Sequence, residues 1–432
     1  MSKAFEKDFQ VAVIGGGVCG LACAAALQKA GISVQVFEAA VPFAEIGAGI
    51  GLGPSGVHSL NAMDLLDAVL QNINSNDLGS RGFLFHSGLG EHELVYDYPP
   101  APEDASISMH RAAFLNALVE LVDPQNTHFN KRCTSISESP TDPKRLLVHF
   151  IDGNTHETDV VLGADGIKSA VRHFVVAKAD EPPRHNLAFS NTVAYRGLIP
   201  YAQLEAAGFK TRLTDRPVCF LGPSKHIIVV PIKNGELINV AAFSARYDIP
   251  TGSHNLPEGA PWVDQVSRED IQKDFDGWGV DVATLFRFMP EKTMRWSVHL
   301  VYPSLENYSK GHVAPLGDAA HGMLPHLGAG AGQGLEDALL LVRLLSHPET
   351  QTENLQSVLE AYSTTRRPRA QMVWEASHRA GSVYDHHGPH GPTAIGMAQD
   401  LRDLWKPIWR YEVDNDIDTA ISVLRTNATF SQ

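Results

Sequence analysis

The chain has 432 residues, 44% hydrophobic and 19% charged, a globular composition too long for one small core, which predicts two or three packed units. Lys and Arg number 35 against 49 Asp and Glu, for a formal net charge of -14; such a field repels nucleic acid and anionic membranes, yet leaves room for a local basic pocket. Cys19, Cys23, Cys133 and Cys219 follow neither a disulfide nor a zinc spacing, and no segment reads as a leader or a bilayer span, so a cytoplasmic, reducing setting is expected.

The first apolar run, residues 11–14, is β-branched and stops at Gly15, as a buried parallel strand entering a tight turn does. Residues 21–29 favour helix. Between them Gly15, Gly17 and Gly20 keep the G-x-G-x-x-G spacing. The first glycine permits the turn, the second lets backbone approach a pyrophosphate, and the third lets helix and strand pack without an intervening Cβ. A second strand over 33–37 ends on Glu38, where a carboxylate accepts hydrogen bonds from an adenosine ribose. A glycine turn can serve packing alone, but strand, helix, second strand and terminal acid in register predict dinucleotide binding.

The following stretch "EIGAGIGLGPSGVHSL" is read as a loop dense in glycine, Gly49 and Gly51 among them, leading into helix through Leu70; such density marks close backbone approach to a ligand. "MHRAAFLNALVELV" predicts a helix opened by His110 and Arg111, and "LLVHFIDGNTHETDVVLGADG" a hairpin turning at Asp152 and Gly153 before a buried strand. From residue 189 to about 246, strand follows strand, with turns at Gly222-Pro223 and Asn234-Gly235, as in an antiparallel sheet inserted into an α/β chain. Buried strand, turn and helix return at "HVAPLGDAAHG", and a long helix is expected from about Gly334 to Leu345. The expected fold is α/β: a Rossmann-like domain (1–78, 103–185 and 292–383) interrupted by an antiparallel-sheet domain (79–102 and 186–291), with a helical segment over 384–432. In its loop, His386, His387 and His390 lack ligand-spaced acidic or cysteine partners, so a solvated loop is expected and no metal site.

The stretch "GDAAHGMLPHLGAGAGQGLEDALLL" sets Gly317 and Asp318 after a strand, then Pro325, then small residues including Gly330 and Ala331 ahead of the helix. A flat ring can lie on such backbone, where N–H groups and the helix dipole stabilise negative charge.

Together "GGGVCG" with Glu38, the "HR" at Arg111, "GADGIKSAVR", "GDAAHGMLPHLGAGAGQGLEDA" and "RRPRA" resemble the single-component FAD-dependent aromatic hydroxylases of the para-hydroxybenzoate hydroxylase fold, in the same order along nearly the whole chain. The finer likeness is to salicylate hydroxylases. The resemblance implies bound FAD, held by the glycine turn, Glu38, Arg111, Asp165 and Asp318, with NADH or NADPH and O2 as transient co-substrates and no separate nicotinamide domain. It implies hydroxylation of an aromatic acid, with conversion of salicylate to catechol and CO2 as the leading reaction. Another phenolic or N-heteroaromatic acid hydroxylated without decarboxylation, and a flavin reductase that never hydroxylates, stay open, as does a monomer or homodimer. Arg196, in "AYRGLI", is the expected anchor for the substrate anion. His226 and His326 are the candidates for taking the phenol proton.

Overall fold

A computed structural model describes residues 7–41, 49–72, 82–99, 101–178, 186–213, 216–233, 235–257 and 259–431. The expected turn residue Asn234, the stretch 42–48 and the expected domain boundaries at 78 and 185 lie outside these.

Five strands form a parallel sheet in the order Val313–Pro315, Val160–Gly163, Gln10–Ile14, Ser33–Phe37 and Thr127–His128. The three central strands carry no exposed apolar side chain, because the helix Val18–Lys29 covers one face and a three-stranded antiparallel sheet, Cys133–Glu138 with Leu146–Phe150 and Thr155–Thr158, covers the other. The hairpin expected at Asp152 and Gly153 joins the last two of these strands.

The second large sheet has eight strands: Val263–Ser267, Lys292–Leu300, Ala188–Pro200, Leu237–Ala245, Lys225–Ile232, Val218–Gly222, Leu84–Ser87 and Leu94–Asp97. It departs from the antiparallel expectation at one ladder, Val218–Gly222 on Leu84–Ser87, which is parallel because those segments meet from distant parts of the chain. The boundary expected at 291/292 also needs correction: Lys292–Leu300 pairs with Ala188–Pro200 and Val263–Ser267 and belongs to this sheet. Tyr195, Ile199, Val229 and Val240 pack its outer face onto the helices Arg268–Asp274 and Val280–Phe288. Its inner face looks toward the parallel-sheet unit.

Two other expectations change. Residues 49–52, read as loop, form the strand Gly49–Leu52 against Ile107–His110; the alternation of glycine with Ile50 and Leu52 was the available β signal. The helix expected from Gly334 starts a turn earlier, as Gly330–Leu345. Gly334 packs directly on Cys19 and Gly317, a contact that a side chain would block.

Candidate flavin and aromatic-acid site

The turn after Gln10–Ile14 is built as its spacing predicts. Gly15 has φ 109°, and a Cβ there would come within 2.2 Å of the Ala164 carbonyl oxygen. A Cβ on Gly20 would meet the Gly15 carbonyl oxygen at 2.0 Å. Gly17, by contrast, opens onto free space and precedes the first helical residue, with no side chain capping the helix and no acid in its first turn. Glu38 stands over this turn: its carboxylate accepts the Gly16 N–H (2.6 Å) and the Ala40 N–H (2.7 Å), which fixes it while leaving lone pairs for hydroxyl donors.

A second helix start faces the same problem. The helix Gly330–Leu345 is also uncapped and free of acids in its first turn, and a Cβ on Gly330 would lie 3.7 Å from the exposed Asp318 carboxylate. Pro325 accepts the Gly328 N–H in the turn that leads there. Two open helix N-termini, two small-residue approaches and an acid beside each suit a long ligand with a pyrophosphate and a flat ring. The geometry is compatible with FAD, which Gly15, Gly17, Gly20 and Glu38 would hold at its nucleotide end and Asp318, Gly330 and Ala331 at its ring end. Gly49 and Gly51, both exposed, lie on the strand paired to Ile107–His110, immediately before Arg111.

Asp165 is arranged differently. Its carboxylate accepts the Ser169 hydroxyl (2.5 Å) and the N–H groups of Ala170 (2.7 Å) and Val171 (3.2 Å), so it caps the helix Ala170–Val176. Burial pushes its pKa up against these bonds. Any hold that Asp165 has on a cofactor acts through the backbone of its turn, which packs on Gly15 and Gly20.

On the inner face of the large sheet, Ala194, Ala241 and Phe243 form an apolar floor with Ile228 and Val298. Register places Arg196 beside Ala241, and Ala241 beside Ile228; one step along, Ala194 lies beside Phe243, and Phe243 beside His226. Arg196 and His226 are thus two strands and two residues apart, about 12 Å between Cα atoms by strand geometry. The guanidinium sits on the side of its strand away from His226, toward the strand Lys292–Leu300. The Arg196 guanidinium packs 5.8 Å from the Trp296 ring centroid. Arg196 is exposed at the surface of this face; partial loss of solvent around the guanidinium, then the like charge of Arg111, pulls its pKa down. Arg111 also acts on Cys19, in the first turn of the helix Val18–Lys29. Arg111 therefore lies within electrostatic reach of both Arg196 on the sheet and Cys19 beside the glycine turn, a concentration of positive charge inside an acidic protein.

His226 is 0% exposed and His326 8%. The rings meet edge to face with centroids 4.8 Å apart, both against Phe243. Burial, with the neighbouring His226 and His378, pushes the His326 pKa well down, so it is neutral near pH 7.

Behind the Asp318 turn lies a buried ionic cluster that pattern reading misses. Asp337 accepts the Gly317 N–H (2.9 Å), the His321 imidazole (2.6 Å) and Arg366 Nε (2.9 Å). Arg366, fully buried, also reaches Glu336 (3.1 Å) and Asp416 (2.9 Å). This holds Gly317 at φ 60° and ties it to the helices Leu355–Tyr384 and Asp414–Thr426. The only sequence trace was "LEDA" and "RRPRA", whose charges sit on apolar helix faces. Of the loop histidines, His390 bonds Asp400 (2.7 Å) and His387 bonds Ser224 (3.0 Å); among the described residues no His, Cys, Asp or Glu cluster is arranged to hold a metal. No helix among them is long and apolar enough to cross a membrane.

A family model described as "FAD binding domain" matches residues 8–195 and 258–377. A salicylate hydroxylase of Pseudomonas putida is 36% identical over 424 residues, spanning 96% of this chain and 95% of its own. The 6-methylsalicylate 1-monooxygenase atA of Aspergillus terreus is 32% identical over 435 residues, spanning 97% and 93%. Among solved structures, a salicylate hydroxylase substrate complex matches with a TM-score of 0.84 at 30% identity, over 95% of this chain and 98% of that one. Cleft and likeness agree over nearly the whole length: the chain belongs to the FAD binding domain family and is an FAD-dependent monooxygenase of the salicylate hydroxylase type.

Proposed function

We propose that the protein hydroxylates salicylate at its carboxylate-bearing carbon, giving catechol and CO2 at the expense of NAD(P)H and O2. The observation that carries this reading is Arg196 on an apolar floor, with a buried histidine pair one row away. Bound FAD, reduced by NAD(P)H, supplies activated oxygen. The chain supplies the rest. Arg196 holds the carboxylate, in a fork geometry that a guanidinium matches. Ala194, Ala241 and Phe243 exclude water beneath the ring. The histidine pair draws off the phenolic proton, which directs oxygen to the ortho carbon. There the new C–O bond forms, the electrons of the carbon–carboxylate bond return to the ring, and CO2 leaves. Salicylate, NADH, O2 and two protons balance catechol, CO2, NAD+ and water.

The test is product analysis under air from the purified holoenzyme with salicylate. Catechol formed in step with NADH oxidation is expected. A hydroxylated acid that keeps its carboxylate would replace decarboxylation by simple hydroxylation, and NADH oxidation yielding only reduced oxygen would leave a flavin reductase. Arg196→Ala should raise the KM for salicylate about 10- to 100-fold, the worth of a charge-assisted hydrogen bond, while FAD stays bound. An unchanged KM removes Arg196 from the anchor role.

A further inference from the structure

His226 has a partner that neither the motifs nor the reaction called for. Its Nδ1 lies 2.7 Å from Asp385 Oδ1, with side-chain exposures of 0% and 2%. The other carboxylate oxygen of Asp385 accepts the Tyr247 hydroxyl at 2.9 Å. A carboxylate accepts only, so the proton in the first bond sits on His226 Nδ1, and Nε2 carries the lone pair. That Nε2 is buried and has no hydrogen-bond partner, and the same holds for Nδ1 of His326, the ring 4.8 Å away. Two orphaned ring nitrogens on adjoining histidines are costly in a core that otherwise satisfies its polar groups. They are not bonded to each other either, so a proton would cross between the rings through a bridging water or after a ring turns.

The outer end of this chain reaches water. The Tyr247 ring, 39% exposed, stacks on His387 at 3.9 Å between centroids. His387, Ser382 and His378 line a surface cavity of about 740 Å³. At the inner end, His326 adjoins Pro325 and Phe243, and Phe243 belongs to the floor of the cleft.

We propose that Asp385 is a positioning residue for proton removal: it locks His226 as the Nδ1–H tautomer and stabilises the imidazolium formed when the substrate's phenolic proton arrives through His326. The substrate O–H bond breaks. His326 takes that proton on one ring nitrogen and gives up a proton from the other to His226 Nε2 through a bridging water, leaving a phenolate, a neutral His326 and a His226 cation paired with the Asp385 anion. The dyad is faced by His326 from the turn ahead of the helix Gly330–Leu345, by Cys219 from the sheet, by Tyr384 from the helix Leu355–Tyr384, by Tyr247 from the strand end, and by His386 beside it. Asp385 is the only carboxylate among them, so the pairing has no acidic competitor. The proposal rests on the phenolic-acid reading above.

The experiment uses wild-type holoenzyme, Asp385→Asn and Tyr247→Phe. Nitrogen-15 chemical shifts of the His226 ring, which need no substrate, should report Nδ1–H in the wild type and loss of that single tautomer in Asp385→Asn. With salicylate, Asp385→Asn should lower kcat at least about tenfold, within the range that a positioned base contributes, with KM changed less than about threefold and flavin reduction by NADH unaltered. The variant-to-wild-type ratio should return toward one with 5-nitrosalicylate, whose phenol ionises more readily; a merely structural defect would persist with both. Should Asp385→Asn fail to fold, Tyr247→Phe, which removes one bond at the exposed end, should still lower kcat severalfold with salicylate and not with the nitro compound. Wild-type shifts showing Nε2–H, or equal losses with both substrates, overturn the proposal. A wild type that oxidises no phenolic acid overturns the substrate reading instead, while the nitrogen shifts still decide the tautomer.

Discussion

Arg366→Met tests whether the buried ionic cluster maintains the turn at Gly317. The substitution keeps much of the side chain's volume and removes its charge. Asp337, Glu336 and Asp416 then each lose a partner at 2.9–3.1 Å, keeping His321, Arg369 and Tyr411 respectively. Breaking a buried pair from one side costs about 3–5 kcal/mol, a large part of the roughly 5–15 kcal/mol that holds a typical domain folded. At about 2 °C per kcal/mol for a chain of this size, the Tm should fall by about 6–10 °C. Acid sensitivity supplies a second readout. Burial alone would push the Asp337 pKa up, but the charges of His321 and Arg366 and the bonds from His321 and Gly317 outweigh it and hold it to about 2, against an ordinary 3.8. At about 1.4 kcal/mol per pH unit, that gap is worth about 2 kcal/mol. A depressed carboxylate stabilises above its unfolded pKa and loses the contribution as pH falls, here between about 4 and 2. Without Arg366 the Asp337 pKa rises, so acid unfolding should begin at higher pH. Scanning calorimetry and an acid titration of flavin fluorescence read both effects. A Tm within about 1 °C of wild type, with the acid transition unmoved, would refute the reasoning.

Two further substitutions bear on the cofactor cradle. Gly334→Ala sets helix propensity, which favours alanine by about 1 kcal/mol, against a Cβ at 2.2 Å from Cys19 Sγ and 3.1 Å from Gly317 Cα. Overpacking costs about 1–3 kcal/mol and the backbone neighbour cannot yield, so the variant should be less stable and release FAD more readily on gel filtration; a more stable, fully yellow protein would contradict this. Glu38→Gln turns one of the two acceptors for Gly16 and Ala40 into a donor, which should weaken FAD binding about tenfold or more in a fluorescence titration. Equal affinity would mean that Glu38 only ties the turn together.

The first strand-turn-helix was readable because it is local. Gly15, Gly17, Gly20 and Glu38 lie within one strand-helix-strand unit, where spacing alone sets which backbone turns, which N–H groups point outward and where the acid falls. The strand and turn around Gly317 were readable for the same reason, but the helix start was not, and it falls at Gly330. Glycines at 49 and 51 hid a strand, since only the partner at Ile107–His110 makes that stretch extended.

Amino-acid order by itself determined most of the elements, the first glycine turn and the excess of acidic over basic residues. Tertiary structure decided which side chains meet: Arg196 with Trp296, His226 with His326 and Asp385, Asp337 with Arg366. These pairs are separated by tens to hundreds of residues and obey no period, because they are chosen by strand register and helix packing. A charge in a sequence declares its sign, but only the folded neighbourhood decides whether it is solvated, paired or aimed at a substrate.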